Sequence, residues 1–268
     1  NTTNTVNTTA LNFSLPMLLG ADSGEFKFGA KNRSNSKDRQ DIRQKWKWEG
    51  SNDLLLSQFE TGGDDIIIHS NYNLGSPLDS QGFRDFFNSN QGSGMFEAEE
   101  RNDVNFGEPY DAEESITGVY FMTNQTYGKL LVTLGLRTEF TNTDYTGTNL
   151  VLDDKEFVSA DQTTVKQSYT QVFPNMQFRY RVTENTNIRF AYSRGVAAPQ
   201  FFDMVPYSIT DIDEEETLIG NGNLDPTTSY NLDLLGEHFF KGIGILSGGL
   251  FLKDMDRFIF RSTGVVSG

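Results

Sequence analysis

Hydrophobic and polar residues alternate with a period of two along much of this chain. In the clearest segment, within residues 187–260, one face carries large apolar side chains and the other carries polar or small ones: Ile188, Phe190 and Tyr192 against Arg189, Ala191 and Ser193. Successive side chains of a β-strand point to opposite faces, so this pattern predicts a strand with two unlike faces. The same alternation occurs in residues 11–17, 26–33, 130–139, 176–182, 230–237 and 246–253.

These segments predict an all-β chain. Roughly eight strands are expected, counting residues 115–123, which are apolar on both faces. The one helix candidate is short and lies near residues 52–59. A sheet that is apolar on one side and charged on the other suits a boundary between lipid and a water-filled lumen.

The connections between the predicted strands are unequal in length. Short connections rich in Gly, Asn, Asp or Thr fall near residues 19–23, 125–128, 183–186 and 241–242, and long polar ones fall at about 34–111, 145–164 and 205–225. Outer-membrane barrels have tight turns at the periplasmic end and extended loops outside the cell. A soluble β-sandwich has no reason to place its long loops at one end. The pattern therefore favours an antiparallel transmembrane β-barrel.

Composition agrees with this interpretation without deciding it. The 268 residues are 36% hydrophobic but 13% aromatic, which fits a barrel with half of each strand facing water, or a secreted β-sandwich. No apolar run reaches about 18 residues, so a transmembrane helix is excluded, while a barrel strand needs only about 9–11 residues. The polar start, Asn1–Thr5, predicts a processed chain or a piece of a longer one.

Charge excludes one class of partner. The net charge of −15 argues against nucleic acid, whose binding depends on Lys and Arg. Cysteine is absent, which says little about the compartment of a domain of this size.

Four blocks, taken in order along the chain, resemble the barrel of TonB-dependent outer-membrane receptors. They are residues 26–33, 135–141, 190–207 and 220–231, the last followed by Asp233, Glu237 and Phe239–Phe240. The positions that match the family motif are Pro199, Gly220, Asn221, Asn223, Leu224, Pro226, Ser229, Asn231 and Glu237. Ala198, Gly222 and His238 stand where the family usually has Arg, Pro and often Tyr.

The resemblance implies a receptor in a Gram-negative outer membrane that imports a scarce solute: a siderophore, haem, vitamin, oligosaccharide or peptide. Its implied partners are outer-membrane lipid, a plug domain and the inner-membrane TonB complex, with a surface lipoprotein as a further candidate. External loops at 34–111 and 205–225 would capture the solute, and a plug would gate the lumen. No plug and no final aromatic-ended strand are found, so the chain resembles a middle-to-late portion of a barrel of roughly 22 strands, and residues 1–268 are assigned to this one domain.

A set of charged residues is expected on the lumen face: Lys27, Lys31, Arg33, Arg137, Glu139, Arg179, Arg181, Arg189 and Arg194. The basic members could line a path for an anionic or polyhydroxylated solute. The favoured alternative is that they pair with acidic groups on neighbouring strands or on a plug, because charge inside a barrel must be partnered.

No catalytic, metal or cofactor site is predicted. The acidic run at 211–216 lacks the spacing of a calcium loop and is expected to be a solvated external loop. His69 and His238 are the only histidines, so a His-rich metal site is excluded. No nucleophile elbow, phosphate-binding loop or Cys nucleophile occurs, and no enzyme activity is expected.

Two rivals to the receptor interpretation remain. A smaller passive barrel or adhesin would close its first strand against its last. A soluble carbohydrate-binding β-sandwich would bring its apolar faces together across a core.

Overall fold

The computed structural model describes residues 1–62, 75–242 and 244–265, together with the backbone of residues 66–67 and 72–73. The chain divides into two compact units. One consists of Asn1–Asp41 and Phe106–Gly268, and the other of Ile42–Asn105. The assignment of the whole chain to one barrel domain stays a prediction.

Fourteen strands are described. They are β1 (Thr2–Pro16), β2 (Ser23–Arg39), β3 (Gln44–Trp48), β4 (Ile66–Ile67), β5 (Tyr72–Asn73), β6 (Phe96–Glu100), β7 (Tyr110–Tyr127), β8 (Leu130–Asp153), β9 (Glu156–Thr183), β10 (Thr186–Ala197), β11 (Ser208–Asp211), β12 (Glu216–Ile219), β13 (Thr227–Phe240) and β14 (Gly244–Asp256). Helices are short: a 3₁₀-helix at Leu56–Phe59, α1 (Ser80–Asn90), α2 (Asn102–Gly107) and α3 (Phe201–Met204). None of the described helices is long and apolar enough to cross a membrane.

The main sheet has ten of the described strands, eight of which form an antiparallel meander in the order β1-β2-β7-β8-β9-β10-β13-β14, while β11 pairs with β8 and β12 pairs with β11. This sheet confirms the predicted all-β fold. Within the described residues β1 and β14 are not paired with each other, so the sheet is open at both edges. The closed ladder expected of a small complete barrel is therefore not formed.

The register aligns the eight strands in common rows that are mainly apolar on one side of the sheet and mainly polar or small on the other. One row from β1 to β14 consists of Leu15, Phe26, Thr123, Leu134, Met176, Tyr192, Leu232 and Leu252. The next row, on the other side of the sheet, consists of Ser14, Lys27, Met122, Gly135, Asn175, Ser193, Asn231 and Lys253. We call these two sides the apolar face and the polar face.

The apolar face lies open to its surroundings. Phe121 is 55% exposed and Leu232 is 40% exposed. A β-sandwich would bury such a face against a second sheet, and this face has none within the described part of its unit. An exposed apolar band on one side of alternating strands is the arrangement of a transmembrane barrel wall.

The predicted long loop at 145–164 has a different structure. Strands β8 and β9 continue through it as one hairpin, closed by Asp154 and Lys155, whose φ angles of 47° and 66° are those of a tight hairpin turn. Both faces carry polar residues here, so alternation gave no signal. The hairpin is held instead by cross-strand side-chain pairs such as Thr146 with Thr164.

The insertion at Ile42–Asn105 contains a helix that the sequence pattern did not predict. Helix α1 begins after Asp79, whose side chain accepts hydrogen bonds from the backbone N–H groups of Gln81 and Gly82. Its phenylalanines pack with other aromatic rings of the unit: Phe83 and Phe86 with Phe59, and Phe87 with Trp46 and Phe96. The expected helix near 52–59 is reduced to the 3₁₀-helix.

Candidate functional site

The outer extension is the part of the sheet beyond the apolar band, formed by residues 33–39 of β2, 110–116 of β7, 141–153 of β8 and 156–169 of β9. On the continuation of the apolar face its side chains are polar and pair across strands. The Ser168 hydroxyl donates to Asn142 Oδ1 at 2.7 Å, Lys166 pairs with Asp144, and Thr146 hydrogen-bonds Thr164 at 2.8 Å. These pairs indicate a surface in water, at the end of the sheet where the long connections lie.

The polar face of the outer extension is covered by the chain's own inner loop, which we define as residues 201–224. Its residues Met204, Val205 and Tyr207 form a buried cluster with Tyr145 of β8 and Ala112 of β7. Tyr145 is 2% exposed and Val205 is 1% exposed. Strand β11 extends the contact by pairing in parallel with Asn149–Leu152 of β8.

The motif residues at 220–224 fix the far end of the inner loop. A Cβ on Gly220 would lie 2.1 Å from the carbonyl oxygen of Val205 and 2.6 Å from the Tyr207 ring, so only glycine fits. The N–H of Gly220 donates to the carbonyl of Tyr207 at 2.8 Å, and the N–H of Asn221 donates to that of Asp203 at 3.2 Å. The side-chain amide of Gln167 in β9 donates to the carbonyl of Gly222 at 2.8 Å. These contacts dock the loop against the wall.

Other motif positions lie in the sheet. Glu237 accepts a hydrogen bond from Nε of Arg189 at 2.8 Å, and the Asn231 amide donates to Ser229 Oγ at 3.3 Å. Gly195 leaves room for Ser229, whose Oγ lies 3.0 Å from the position of a Cβ. These motif residues have structural contacts, and their assignment as site residues stays a prediction.

A buried polar row crosses the outer extension on its polar face. Asn35, Glu114 and Thr143 are paired in register and are 5%, 8% and 6% exposed. Asn35 Oδ1 and Thr143 Oγ1 have no hydrogen-bond partner among the described residues. Burial raises the pKa of the Glu114 carboxyl, and nearby Arg33 opposes that rise. Within the described residues, the row therefore contains buried polar atoms whose hydrogen-bonding capacity is not satisfied.

Aromatic and cationic groups meet at the edge of the inner loop. The Lys37 ammonium lies 5.7 Å from the Tyr110 ring centre and 5.9 Å from that of Phe201. The Arg39 guanidinium lies 5.7 Å from the Phe202 ring centre and pairs with Asp41 at 2.7 Å. Cations over aromatic faces are held by the ring quadrupole, so these contacts add to the docking of the loop.

Eight of the nine predicted lumen-face residues do share the polar face: Lys27, Lys31, Arg33, Arg137, Glu139, Arg179, Arg181 and Arg189. Arg194 is the exception, because its register partner is Tyr230 on the apolar face. Its guanidinium lies 5.7 Å from the Tyr230 ring centre and Nη1 donates to the Val172 carbonyl at 3.0 Å. A long amphipathic side chain near the end of the apolar band can keep its charge among polar groups.

The polar-face charges are only partly paired inside the chain. Lys27 pairs with Glu25 at 2.9 Å, Arg137 with Glu139 at 2.5 Å and Arg189 with Glu237 at 2.8 Å. Four others have no ion-pair partner within the described part of the chain: Lys31, Arg33, Arg179 and Arg181. Arg179 and Arg189 border a groove of about 490 Å³ with Asp233 and Phe251. Whether a solute or a plug faces these groups stays a prediction.

The acidic run and the histidines behave as local structural groups. Asp211 is 8% exposed, and its Oδ1 accepts hydrogen bonds from the N–H groups of Asp213 and Glu214. His238 Nδ1 hydrogen-bonds Thr186 Oγ1 at 2.9 Å, and His69 lies outside the described residues. No group of three His, Cys, Asp or Glu able to hold a metal ion occurs among the residues that are described.

The sequence pattern missed the docking of the inner loop and, separately, an apolar groove within the Ile42–Asn105 unit. The groove, about 370 Å³, is lined by the side chains of Leu56, Phe59, Leu78, Phe83, Arg84 and Phe87. The spacing of Phe83, Phe86 and Phe87 after the capping residue Asp79 was the available signal for its helix. No local pattern indicated that residues 201–224 fold back onto the wall, because that contact joins distant parts of the chain.

Comparisons with solved structures agree on the architecture. The ferric-catecholate import receptor Fiu from E. coli K12, in its closed form, is 11% identical with a TM-score of 0.55 over 95% of this chain and 32% of its own. The siderophore receptor PiuA from Acinetobacter baumannii is 16% identical with a TM-score of 0.52, over 93% and 31%. The Serratia marcescens receptor HasR, solved as a double mutant with its hemophore HasA and heme, is 9% identical with a TM-score of 0.52, over 96% and 34%. The chain thus spans about a third of the length of each.

Comparison with curated proteins found no match. The family described as TonB dependent receptor-like, beta-barrel matches residues 1–268, the whole chain. The predicted resemblance is therefore confirmed, and the open meander with its apolar outer face is a portion of such a barrel wall. This chain belongs to the TonB-dependent receptor-like β-barrel family, whose members lie in the bacterial outer membrane.

Proposed function

We propose that the protein containing this chain imports a scarce solute by capture at the outer extension and passage through a plug-gated lumen. The observation that carries the proposal is the inner loop docked on the polar face of the barrel wall. A loop that lies inside the mouth of a barrel borders the route that any solute must take. Below it, unpaired basic groups such as Arg179 and Arg181 face the same lumen.

The wall chemistry and the relatives set the order in which candidate solutes are tested. Siderophore, haem, vitamin, oligosaccharide and peptide all remain candidates, and iron-carrying solutes are the first to test. Fiu is named as a ferric-catecholate import receptor and PiuA as a siderophore receptor, and HasR is complexed with a hemophore and heme. Basic groups on the polar face suit an anionic solute or acidic groups of a plug. Import requires no bond in the solute to break, so no catalytic step is proposed.

The test is uptake of labelled ferric siderophores and heme by cells that express the full-length receptor. One variant replaces the inner loop with a Gly/Ser linker of equal length, and a control variant, Glu184→Ala, alters the short turn at the opposite end. We expect energy-dependent uptake that the loop replacement reduces by about ten-fold or more and the control leaves unchanged, because capture and docking are lost. Uptake that persists after collapse of the proton gradient would instead show a passive barrel.

Binding and transport are separated by a second measurement. The solute is titrated onto the purified receptor in detergent, with and without the loop replacement. Weakened binding in the variant supports capture by the inner loop. Unchanged binding together with lost uptake would contradict capture and leave the loop a role in passage only.

A further inference from the structure

The turn between β1 and β2, residues 17–22, lies against the apolar face of the sheet. Gln125 of β7 shares that face with Val119 and Phe121, because it lies at an even spacing from them on the same strand. Its amide donates to the carbonyl of Met17 at 2.9 Å and accepts from the N–H of Leu19 at 3.2 Å. A backbone held by an outward-pointing side chain must itself lie on the outward side.

Two neighbours make room for the turn and hold it. Gly24 is the register partner of Gln125, and a Cβ there would lie 2.2 Å from Gln125 Oε1 and 2.3 Å from the Met17 carbonyl oxygen. Because Gly24 has no side chain, the turn can approach the sheet at this position. Tyr127, again on the apolar face, donates its hydroxyl to the carbonyl of Leu19 at 2.9 Å.

Gln125 is anchored more firmly than a surface side chain. It is 2% exposed, and its amide also donates to Thr123 Oγ1 at 2.7 Å. The Thr123 hydroxyl in turn donates to the carbonyl of Glu25 at 3.0 Å. A buried glutamine with its amide group fully engaged fixes the geometry of whatever it binds.

We call Gln125, Tyr127 and Gly24 the clamp. The turn that the clamp holds exposes three apolar side chains at the short-turn end of the barrel wall. Met17, Leu18 and Leu19 are 45%, 62% and 51% exposed. The apolar face that continues from them is the surface that the family places against membrane lipid. The turn is therefore continuous with an established lipid contact, whereas the short turn at Glu184–Asn185 is polar.

We propose that Met17, Leu18 and Leu19 form a lipid anchor: the turn is folded outward by Gln125, Tyr127 and Gly24 so that these side chains enter the periplasmic leaflet among the phospholipid acyl chains. The anchor fixes the depth of the wall in the membrane at its inner edge, as interfacial apolar and aromatic side chains do in barrels. It does not depend on the proposed solute import.

The experiment uses the full-length receptor, free of other reactive cysteines, in proteoliposomes whose phospholipids carry a bromine quencher on the acyl chain. A fluorescent label is attached in turn through Leu18→Cys, Leu134→Cys or Glu184→Cys. We expect quenching at position 18 close to that at 134, the reference in the apolar band, and little at 184. Quenching at 18 as low as at 184 would overturn the anchor, and an unquenched label at 134 would overturn the membrane placement of the sheet itself.

The clamp is tested by adding Gln125→Ala to each labelled protein, with the heat-resistant band on gels as the check of barrel folding. We expect quenching at position 18 to fall by about half while that at 134 is unchanged, because the turn loses the two hydrogen bonds from Gln125 and keeps the one from Tyr127. Undiminished quenching at position 18 would show that Gln125 does not hold the turn and would overturn the clamp.

Discussion

At the scale of single residues, two glycines allow close backbone contacts with the barrel wall because they have no Cβ. Gly220 and Gly24 each lie where a Cβ would meet a backbone carbonyl at 2.1 Å and 2.3 Å. One lets the inner loop dock and the other lets the β1–β2 turn fold outward. Glu114 is the opposite case, a charged side chain buried in a row whose neighbours lack partners. These residues decide local geometry that strand alternation does not encode.

Gly220→Ala should undock the inner loop. The added methyl group meets the Val205 carbonyl and the Tyr207 ring, which cannot both move away, and overpacking of this kind costs about 1–3 kcal/mol. Hydrogen exchange measured over residues 201–224 should rise. Gly248→Ala is the control, because nothing lies within 4 Å of the position of its Cβ. Equal exchange in both variants would contradict the contact.

The docking of the inner loop should be tighter at low pH. Glu114 interacts electrostatically with Tyr145, which packs against the inner loop, and burial raises the pKa of Glu114 above the ordinary value of about 4.3. Its contribution to docking is therefore full below the ordinary pKa and is lost as pH rises through the raised one. Limited proteolysis of residues 201–224 should slow as pH falls through that window. Glu114→Gln should remove this dependence and protect the loop at neutral pH, and an unchanged pH profile in that variant would count against the assignment.

At the scale of elements, strand length separates the membrane part of the wall from the part in water. Strand β8 runs for 24 residues and β9 for 28, far beyond the roughly 9–11 that a barrel span requires. Their outer halves are held by polar pairs, and their polar face is covered by residues 201–207 of the inner loop. Strand β11 extends the same sheet by pairing in parallel with the edge of β8. The predicted loop at 145–164 is a hairpin because these cross-strand contacts, together with buried side chains such as Tyr145 and Leu150, stabilise a segment whose sequence does not alternate clearly.

Tyr145→Ala should destabilise this hairpin and the loop together. Tyr145 is 2% exposed within the buried cluster, and removing a large buried aromatic side chain costs about 3–5 kcal/mol. Proteolytic cutting should then appear within both 145–164 and 201–224. Tyr180→Ala provides the comparison, since that ring is 48% exposed. Cutting confined to one of the two segments would show that they do not act as a unit.

At the scale of the whole molecule, the open edges of the sheet matter most. Strands β1 and β14 are long and unpaired on their outer sides within the described residues. Backbone groups left unpaired in lipid are costly, so a stable membrane barrel closes its ladder. The chain also covers about a third of its structural relatives, whose walls it matches over nearly all its own length. Both observations point to further strands beside these eight.

Cross-linking of the full-length receptor should confirm that β1 and β14 are not neighbours. Leu11→Cys combined with Leu252→Cys should give no intramolecular disulfide under oxidation. Leu232→Cys with Leu252→Cys is the positive control, because these two positions are register partners. A disulfide between positions 11 and 252 would show a small barrel closed by eight strands.

The sequence alone determined the parts of this protein that repeat every two residues: the all-β fold, the eight strands and the two faces. Alternation is a local property, so it can be recognised without knowing which residues pack against the strand. The family blocks lie largely on the same strands. Arg194 shows the limit of the prediction: it is expected on the polar face, yet it lies an even number of residues from Ile188 and so shares the apolar face. Tertiary structure alone decided the docking of the inner loop, the hairpin at 145–164 and the outward turn at 17–22. Each of these depends on contacts between residues distant in the chain, such as Gln125 with Met17, and such contacts leave no local period to read.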